Sequence, residues 1–353
     1  MDILSIVEWV GEARTAAIFG LITGIIFGVA AQRSSFCLRA ATVEFARGHL
    51  GPRVSVWLLT FSTAVVWVQG AQMLGLMRAE DARMMAVTGS WSGAIIGGLV
   101  FGAGMVLARG CSGRLLVLAA TGNLRAVVSG LIFAVVAQMS LQGWLSPLRD
   151  KLAGLWITEG GRNLNLLDTA HVPEGSGLAL GLALALVALW YAHQNKIGTR
   201  VLVFASGVGF AVAVGWALTF GLSQVSFDPV QIESATFTGP SANTLMFFLE
   251  SNPVLQFDIG LVPGVFIGAF LASAFTREFQ FQGFQDADNM KRAITGAALM
   301  GFGGMLAGGC AIGAGVTGGS IFAGTAWLAL FCMWIGAIIT DFLVDQSAQK
   351  VPV

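Results

Sequence analysis

The sequence predicts an all-α integral membrane protein with about nine transmembrane helices. Hydrophobic residues make up 56% of the 353 positions and charged residues only 11%, whereas soluble domains carry about 25% charged residues. The mean hydropathy of +0.78 is strongly positive. A composition this apolar favours a chain that lies mostly inside a bilayer.

The length of the apolar runs supports the same fold class. A helix needs roughly 20 apolar residues to cross about 30 Å of hydrocarbon. Nine runs come near or reach that length, at 15–31, 54–77, 91–107, 126–145, 177–192, 201–222, 260–275, 294–306 and 322–343. They are continuous and rich in Ala, Leu and Gly, whereas a transmembrane barrel would show short alternating segments. We therefore expect helices.

An internal repeat is visible in the sequence. The segments "GGLVFGAGMVLARGC" (97–111) and "GAALMGFGGMLAGGC" (296–310) match at seven of fifteen positions without a gap. This predicts one transmembrane domain over 1–353, with a first repeat at 1–147, a connecting loop and helix at 148–198, and a second repeat at 199–353. A weaker pair, "QRSSFC" (32–37) and "QVSFDP" (224–229), would place Asp228 near the position equivalent to Cys37.

Both repeated segments end in a glycine followed by a cysteine, at Gly110–Cys111 and Gly309–Cys310. Small residues at this point allow a helix to stop and restart as a re-entrant half-helix. Membrane folds built from repeats often place their site at such breaks. The alternative is that the glycines serve only close helix packing, which we prefer for "GLITGIIFG" (20–28) and "GLVPGVFIG" (260–268).

The distribution of charge predicts a topology. The stretch 224–260 carries four acidic residues and no Lys or Arg, whereas the connections around Arg47, Arg53, Lys196, Arg200 and Arg277 are basic. The positive-inside rule then places the basic connections of this multi-pass membrane protein in the cytoplasm and the acidic stretch outside. The segments 147–176 and 224–260 are expected to be loops or short interfacial helices over the outer face.

The sequence lacks the motifs that several classes of enzyme require. The sequence contains no GxxxxGK[ST], HExxH or GxSxG, which argues against an ATPase or a hydrolase. The formal net charge is zero, so nothing indicates nucleic-acid binding. The four cysteines are scattered without CxxC pairs, which argues against a metal site. We expect no enzyme activity, cofactor or metal.

Thiols are the reactive groups repeatedly placed inside apolar runs. A neutral thiol is a weak donor and a weak acceptor, so Cys37, Cys111 and Cys310 together can hold a soft anion without trapping it, as conduction requires. Cys332, in "LALFCMWIG", is interpreted as a small buried hydrophobe.

Four arginines flank the first two cysteines, at Arg33, Arg39, Arg109 and Arg114. Charge at membrane depth is rare unless it serves a pathway or reaches an interface. Two interpretations stay open for each arginine: it gathers anions at a vestibule, or its side chain reaches the headgroups or helix-end carbonyls.

The motifs "RSSFCLRAA", "ARGCSGRLLVLAATGN" and "AGGCAIGAGVTG" resemble the YeeE/YedE family of bacterial inner-membrane proteins. The resemblance implies a pseudo-twofold, hourglass-like helical fold and thiosulfate uptake. In that family the anion is thought to pass along cysteines by transient S–H contacts, which by position implies Cys37, Cys111 and Cys310. It also implies a cytosolic sulfurtransferase of the TusA type as a possible partner.

Several alternatives remain beside thiosulfate uptake. The substrate can be a selenium compound or another sulfur oxyanion. A membrane-embedded sulfurtransferase would instead accept sulfur covalently, as a persulfide on one cysteine. It is disfavoured because no His or Lys neighbours a cysteine in sequence to activate a thiolate. A structural subunit with inert cysteines would move nothing.

Overall fold

The computed structural model describes residues 3–173, 175–283 and 287–346. Their regular secondary structure is helical. The α-helices are α1 Ile3–Val10, α2 Glu12–Ser34, α3 Leu38–Ala46, α4 Pro52–Met73, α5 Arg83–Ala86, α6 Trp91–Leu107, α7 Ser112–Ala120, α8 Leu124–Leu141, α9 Ser146–Ala153, α10 Leu166–Thr169, α11 Ser176–Gln194, α12 Thr199–Ser223, α13 Thr238–Phe247, α14 Phe257–Phe275, α15 Ala287–Leu306 and α16 Gly324–Thr340. π-Helices follow α15 and α16, at Ala311–Gly318 and Asp341–Gln346, and a 3-10 turn occupies Glu159–Gly161.

Nine helical segments of the described residues are long and apolar enough to cross a membrane. Their cores are α2, α4, α6, α8, α11, α12, α14, α15 and α16. Large apolar side chains such as Leu186, Val203 and Phe331 are exposed on these helices, as expected for surfaces that contact lipid. The prediction of an all-α integral membrane protein with about nine transmembrane helices is confirmed.

Connections between the spanning helices lie on two opposite faces. On one, the side-chain amide of Asn195 donates to the Leu50 carbonyl at 2.9 Å, joining the α3–α4 and α11–α12 connections. On the other, the Arg83 N–H donates to the Ile232 carbonyl at 2.9 Å. We call these the basic face and the acidic face. The basic face carries Arg47, Arg53, Lys196, Arg200 and Arg277, and the acidic face carries Asp228, Glu233, Glu250 and Asp258. The acidic face also carries Arg78, Arg83, Arg149, Lys151 and Arg162, so the assignment of the basic face to the cytoplasm stays a prediction.

The glycines of 20–28 and 260–268 bring two helices into backbone contact. Gly20, Gly24 and Gly28 of α2 lie against the backbone of α14, and the α14 glycines lie against α2 in the same way. A Cβ atom at any of these positions would overlap the neighbouring main chain. The interpretation of these runs as close-packing motifs is confirmed.

The same order of long and short helices occurs twice along the chain. The first series is α2, α3, α4, α6, α7 and α8, and the second is α12, α13, α14, α15, the π-helix and α16. The short helices α3 and α7 run from the interior to the basic face, whereas α13 and the π-helix Ala311–Gly318 run to the acidic face. This order supports the predicted division into two repeats, which stays a prediction.

One predicted loop differs from the structure. Residues 147–173 form loops and short helices at the acidic face, as expected, but the middle of 224–260 forms α13, which enters the bundle. Phe237, just before α13, is only 1% exposed. The residue at the position equivalent to Cys37 is therefore Phe237. The prediction for Asp228 is wrong, because this residue lies in the exposed loop ahead of the short helix.

Candidate functional site

The three candidate cysteines share one position in the local structure. Cys37, Cys111 and Cys310 each stand immediately before a short helix, at the N-caps of α3, α7 and the π-helix Ala311–Gly318. Each short helix follows the end of a long spanning helix, α2, α6 or α15. Each cysteine therefore marks a break in a spanning segment, as the sequence predicts for Cys111 and Cys310.

The two breaks of the repeated motif have the same backbone. Arg109 and Gly308 both adopt left-handed conformations, with φ of 56° and 77°. In the next residue, the Gly110 N–H donates to Met105 at 3.1 Å and the Gly309 N–H donates to Gly304 at 2.9 Å. This turn ends the long helix and satisfies its last carbonyls. The sequence difference at Arg109 and Gly308 therefore leaves the turn unchanged.

The cysteine sulfurs face the amino ends of the short helices. The Gly313 N–H donates to Sγ of Cys310 at 3.4 Å. Sγ of Cys37 and Sγ of Cys111 lie near the equivalent N–H groups, of Ala40 and Arg114, without closing a cap hydrogen bond. Helix amino ends carry the positive end of the helix dipole and free N–H donors. They therefore add anion-binding character beside each thiol.

Two of the cysteines meet in space. The thiols of Cys37 and Cys111 interact with each other, and the guanidinium of Arg114 lies within electrostatic reach of both. Nη1 of Arg114 is buried and has no hydrogen-bond partner. Among the described residues, no carboxylate forms an ion pair with Arg114. The arrangement joins two thiols to one unpaired positive charge.

Among the other three candidate arginines, two have carboxylate partners. Arg33 pairs with Glu278 at 3.2 Å, and Arg39 pairs with Asp345 at 3.4 Å. Arg109 is exposed at the turn before Cys111. The geometry therefore distinguishes Arg114 from the other arginines that flank the cysteines.

Cys310 lies on the acidic-face side of the bundle, next to a cavity of about 350 Å³. Its thiol is wholly buried, but Gly308 and Gly309 line the cavity directly. The polar side chains of the wall come from separate parts of the chain: Arg83, Thr88, Ser90, Asn163, Thr236, Thr238, Asn243 and Thr325. Sequence analysis missed these residues because they come from four separate segments of the chain.

An apolar constriction lies between the two groups of cysteines. Gly113, two residues after Cys111, lies against Ile312, two residues after Cys310. The Phe237 ring also lies against Gly113 and packs on Phe27 with ring centroids 5.0 Å apart. The short helices of the two halves therefore meet at the centre of the bundle through buried apolar side chains.

Cys332 occupies a different environment. It lies on α16, is only 5% exposed, and packs against Gly98 of α6. No helix begins beside it. Its position agrees with the interpretation of this thiol as a packing residue between two spanning helices.

Spanning helices that break at thiols, with an unpaired arginine beside two of them, are features of a membrane transporter for a small anion. The sequence model of the family described as "Sulphur transport" (Sulf_transp) matches residues 33–339, and the chain belongs to this family. Two similar proteins are named "Thiosulfate transporter TsuA". The Escherichia coli (strain K12) protein is 27% identical, with 94% of this chain and 95% of the relative covered. The Spirochaeta thermophila protein is 25% identical, with 90% and 96% covered.

Proposed function

We propose that this protein takes up thiosulfate across the bacterial inner membrane, along a central path lined by the neutral thiols of Cys37, Cys111 and Cys310. The names of the two relatives, which align with nearly the whole chain, support this substrate. The observation that carries the proposal is the unpaired Arg114 beside Cys37 and Cys111, where two short helices begin.

The chemistry of the site fits the chemistry of the ion. Thiosulfate is a dianion with one soft terminal sulfur and three oxygens. Desolvating it is costly, and Arg114 together with the helix amino ends of α3 and α7 offsets part of that cost. S–H groups add weak donors that hold the ion only loosely. Several weak sites in succession permit release as well as binding.

The path would begin at the acidic face, which the positive-inside rule places on the non-cytoplasmic side of the membrane. The ion would enter the cavity beside Cys310 and then pass to Cys111 and Cys37. Phe237 and Ile312 close the centre between them. These two side chains have to move for an ion to cross, so passage requires a conformational step.

A flux comparison in proteoliposomes tests the proposal. Sulfate has the same charge as thiosulfate and an oxygen in place of the terminal sulfur. We expect thiosulfate to enter at least about tenfold faster, which corresponds to about 1.4 kcal/mol. Equal rates, or no flux of either ion above empty liposomes, would contradict the proposal. Sulfite or selenite that outcompeted thiosulfate would move the assignment to the alternative anions.

A second candidate, a membrane-embedded sulfurtransferase, has one observation in its favour. Arg114 would be the counter-ion of a thiolate at Cys37 or Cys111. The thiolate would attack the terminal sulfur of thiosulfate, the S–S bond of the ion would break, sulfite would leave, and a persulfide would remain. Sulfite release, with a mass gain of one sulfur atom on a cysteine, would support this reaction. Intact thiosulfate inside the liposomes without sulfite supports transport.

A partner at the basic face is also part of the proposal. The family resemblance implies a TusA-type cytosolic sulfurtransferase that collects sulfur after transport. Cells that contain the sulfurtransferase should take up thiosulfate faster than cells that lack it. The flux into proteoliposomes, which contain no sulfurtransferase, gives the rate of the transporter alone. Lipid is the other partner, contacted by the exposed apolar side chains of the spanning helices.

A further inference from the structure

A second cavity at the acidic face contains two buried carboxyl groups that the proposed path does not use. It has a volume of about 390 Å³ and is lined by Glu233 and Asp258. Asp258 lies in the first turn of α14 and is only 4% exposed. One of its carboxylate oxygens accepts a hydrogen bond from Asn243 at 2.8 Å. The other, Oδ1, is buried and has no hydrogen-bond partner. A buried carboxylate oxygen without a partner is costly unless it binds a proton or a cation.

The Glu233 carboxyl group also lacks a close positively charged partner. Its side chain is 12% exposed, and its nearest positive group is Nε of Arg83 at 3.8 Å. Burial and the negative charge of Asp258 raise the pKa of Glu233 to about 8, against the opposing effect of Arg83. Glu233 is therefore mostly protonated at neutral pH.

Arg83 connects this cavity to the one beside Cys310. Arg83, Leu141 and Asn243 line both cavities. The Arg83 guanidinium is therefore placed between the two buried carboxyl groups and the proposed anion site. When both carboxyl groups are ionised, they neutralise the positive charge of Arg83 and repel an incoming anion. When one is protonated, Arg83 is available to the anion.

We propose that Glu233 and Asp258 form a proton-binding site that is linked, through Arg83, to loading of an anion into the cavity beside Cys310. This inference rests on the proposed function and adds a coupled ion to it. Linkage is reciprocal, so anion binding favours protonation of the pair as much as protonation favours anion binding.

The other groups around the pair do not replace it as the titrating site. Besides Glu233 and Asp258, the charged groups among the described residues that line the cavity are Arg83 on α5 and Glu250 after α13. Glu250 is exposed. The remaining polar side chains are neutral amides: Gln138, Gln142, Gln231, Asn243 and Gln256.

The first test measures proton uptake by the purified full-length protein in weakly buffered detergent near pH 8. Adding thiosulfate should draw up to one proton per protein from solution, read with a pH indicator dye. Glu233→Gln should abolish the uptake and still bind thiosulfate. Asp228→Asn, which removes an exposed charge from the same face, is the control and should behave as wild type. Thiosulfate binding without proton uptake by the wild-type protein would overturn the inference.

The second test measures thiosulfate influx into proteoliposomes as external pH rises from about 6 to about 9. Thiosulfate itself stays a dianion over this range. We expect the apparent affinity to fall several-fold as the pH passes about 8, because deprotonation restores the negative charge of the pair. Glu233→Gln should remove the pH dependence of the apparent affinity, and Asp258→Asn should shift its midpoint to a different pH.

The outcomes separate the two proposals. A flat wild-type profile, or a wild-type profile that survives in Glu233→Gln, would overturn the linkage and leave thiosulfate transport intact. Loss of influx when choline replaces sodium at constant pH would identify a metal cation and overturn the assignment to a proton. Absence of any thiosulfate binding or influx would instead contradict the proposed function.

Discussion

Gly104 of α6 lies directly against the backbone of Gly296 of α15, with no room for a side chain at either position. Gly97 and Gly303 form a second contact between the same two helices. In the sequence alignment, Gly97 corresponds to Gly296, and Gly104 corresponds to Gly303. The two contacts are therefore reciprocal, which is the pattern that a two-fold axis produces. They support the predicted two-repeat organisation independently of the cysteines.

We expect Gly104→Ala to lower stability, because the new Cβ would overlap the backbone of Gly296. Overpacking of this kind costs about 1–3 kcal/mol, which outweighs the gain in helix propensity of about 1 kcal/mol. The control is Gly130→Ala in α8, where the space around the glycine is open. Gly130→Ala should be neutral or slightly stabilising. Equal thermal unfolding midpoints of the two variants in detergent would contradict the expected clash.

We expect Cys37→Ala, Cys111→Ala and Cys310→Ala each to reduce thiosulfate uptake. An ordinary hydrogen bond to a charged group is worth about 1.5–3 kcal/mol, and an S–H donor is weaker, so uptake should fall several-fold at each position. Serine at the same positions should cost less, since it keeps a donor. Cells that need thiosulfate as their sulfur source provide the measurement, with Cys332→Ala as the control. Full uptake by all three alanine variants would remove the thiols from the path.

Arg114 is expected to set the affinity for the anion. Arg114→Gln removes the unpaired charge beside Cys37 and Cys111, and the apparent KM for thiosulfate should rise roughly tenfold. Arg114→Lys should recover part of the affinity, because it keeps the charge but loses the fork of donors. The control is Arg33→Gln, whose charge is paired with Glu278. A similar KM in Arg114→Gln and Arg33→Gln would argue that Arg114 is not a substrate contact.

The contact between Arg47 and Asp341 is expected to stabilise the basic face. Arg47 donates to both oxygens of the wholly buried carboxylate, at 3.2 and 3.0 Å. Hydrogen bonding to Asp341 raises the pKa of Arg47, so the pair stays charged at neutral and mildly alkaline pH. Arg47→Gln should cost about 1–3 kcal/mol, because the Asp341 carboxylate loses its charged partner and keeps the hydrogen bond from Gln346 at 3.0 Å.

Two further variants check this contact. Arg47→Gln combined with Asp341→Asn should recover part of the stability, since no unpaired charge remains. Lys291→Gln disrupts an exposed pair with Asp288 and should cost at most about 1 kcal/mol. Chemical unfolding of the purified variants measures both effects. An Arg47→Gln cost no larger than that of Lys291→Gln would contradict the role of the buried pair.

The sequence predicted the features that depend on local composition. Apolar length alone located the nine spans, and the Gly-Cys pairs located the breaks before α7 and the π-helix. Helix α13 was missed because its ten residues include Gly239, Pro240 and Asn243, and a polar segment shorter than a span resembles a loop. Only the packing of Phe237 against Phe27 and Gly113 shows that α13 begins in the interior of the bundle.

The features that were not predicted depend on residues far apart in the chain. Cys37 and Cys111 come together only because α3 and α7 enter the bundle from the same face. Arg83 reaches Glu233 across a gap of 150 residues, and no local pattern marks either residue as part of a shared site. The four arginines near the cysteines are equivalent in sequence. The structure distinguishes them, because Arg33 and Arg39 have carboxylate partners and Arg114 has none among the described residues.

The four short helices all begin in the interior, whichever face they run to. The amino ends of α3, α7, α13 and the π-helix Ala311–Gly318 therefore point inward from both sides, so the helix dipoles alone give an anion no preferred direction across the centre. The two sides differ in their side chains, because Arg114 lies beside Cys37 and Cys111 in one half only. Under the proposed function, net inward flow would then depend on consumption of the ion in the cytoplasm or on the proton gradient acting at Glu233 and Asp258.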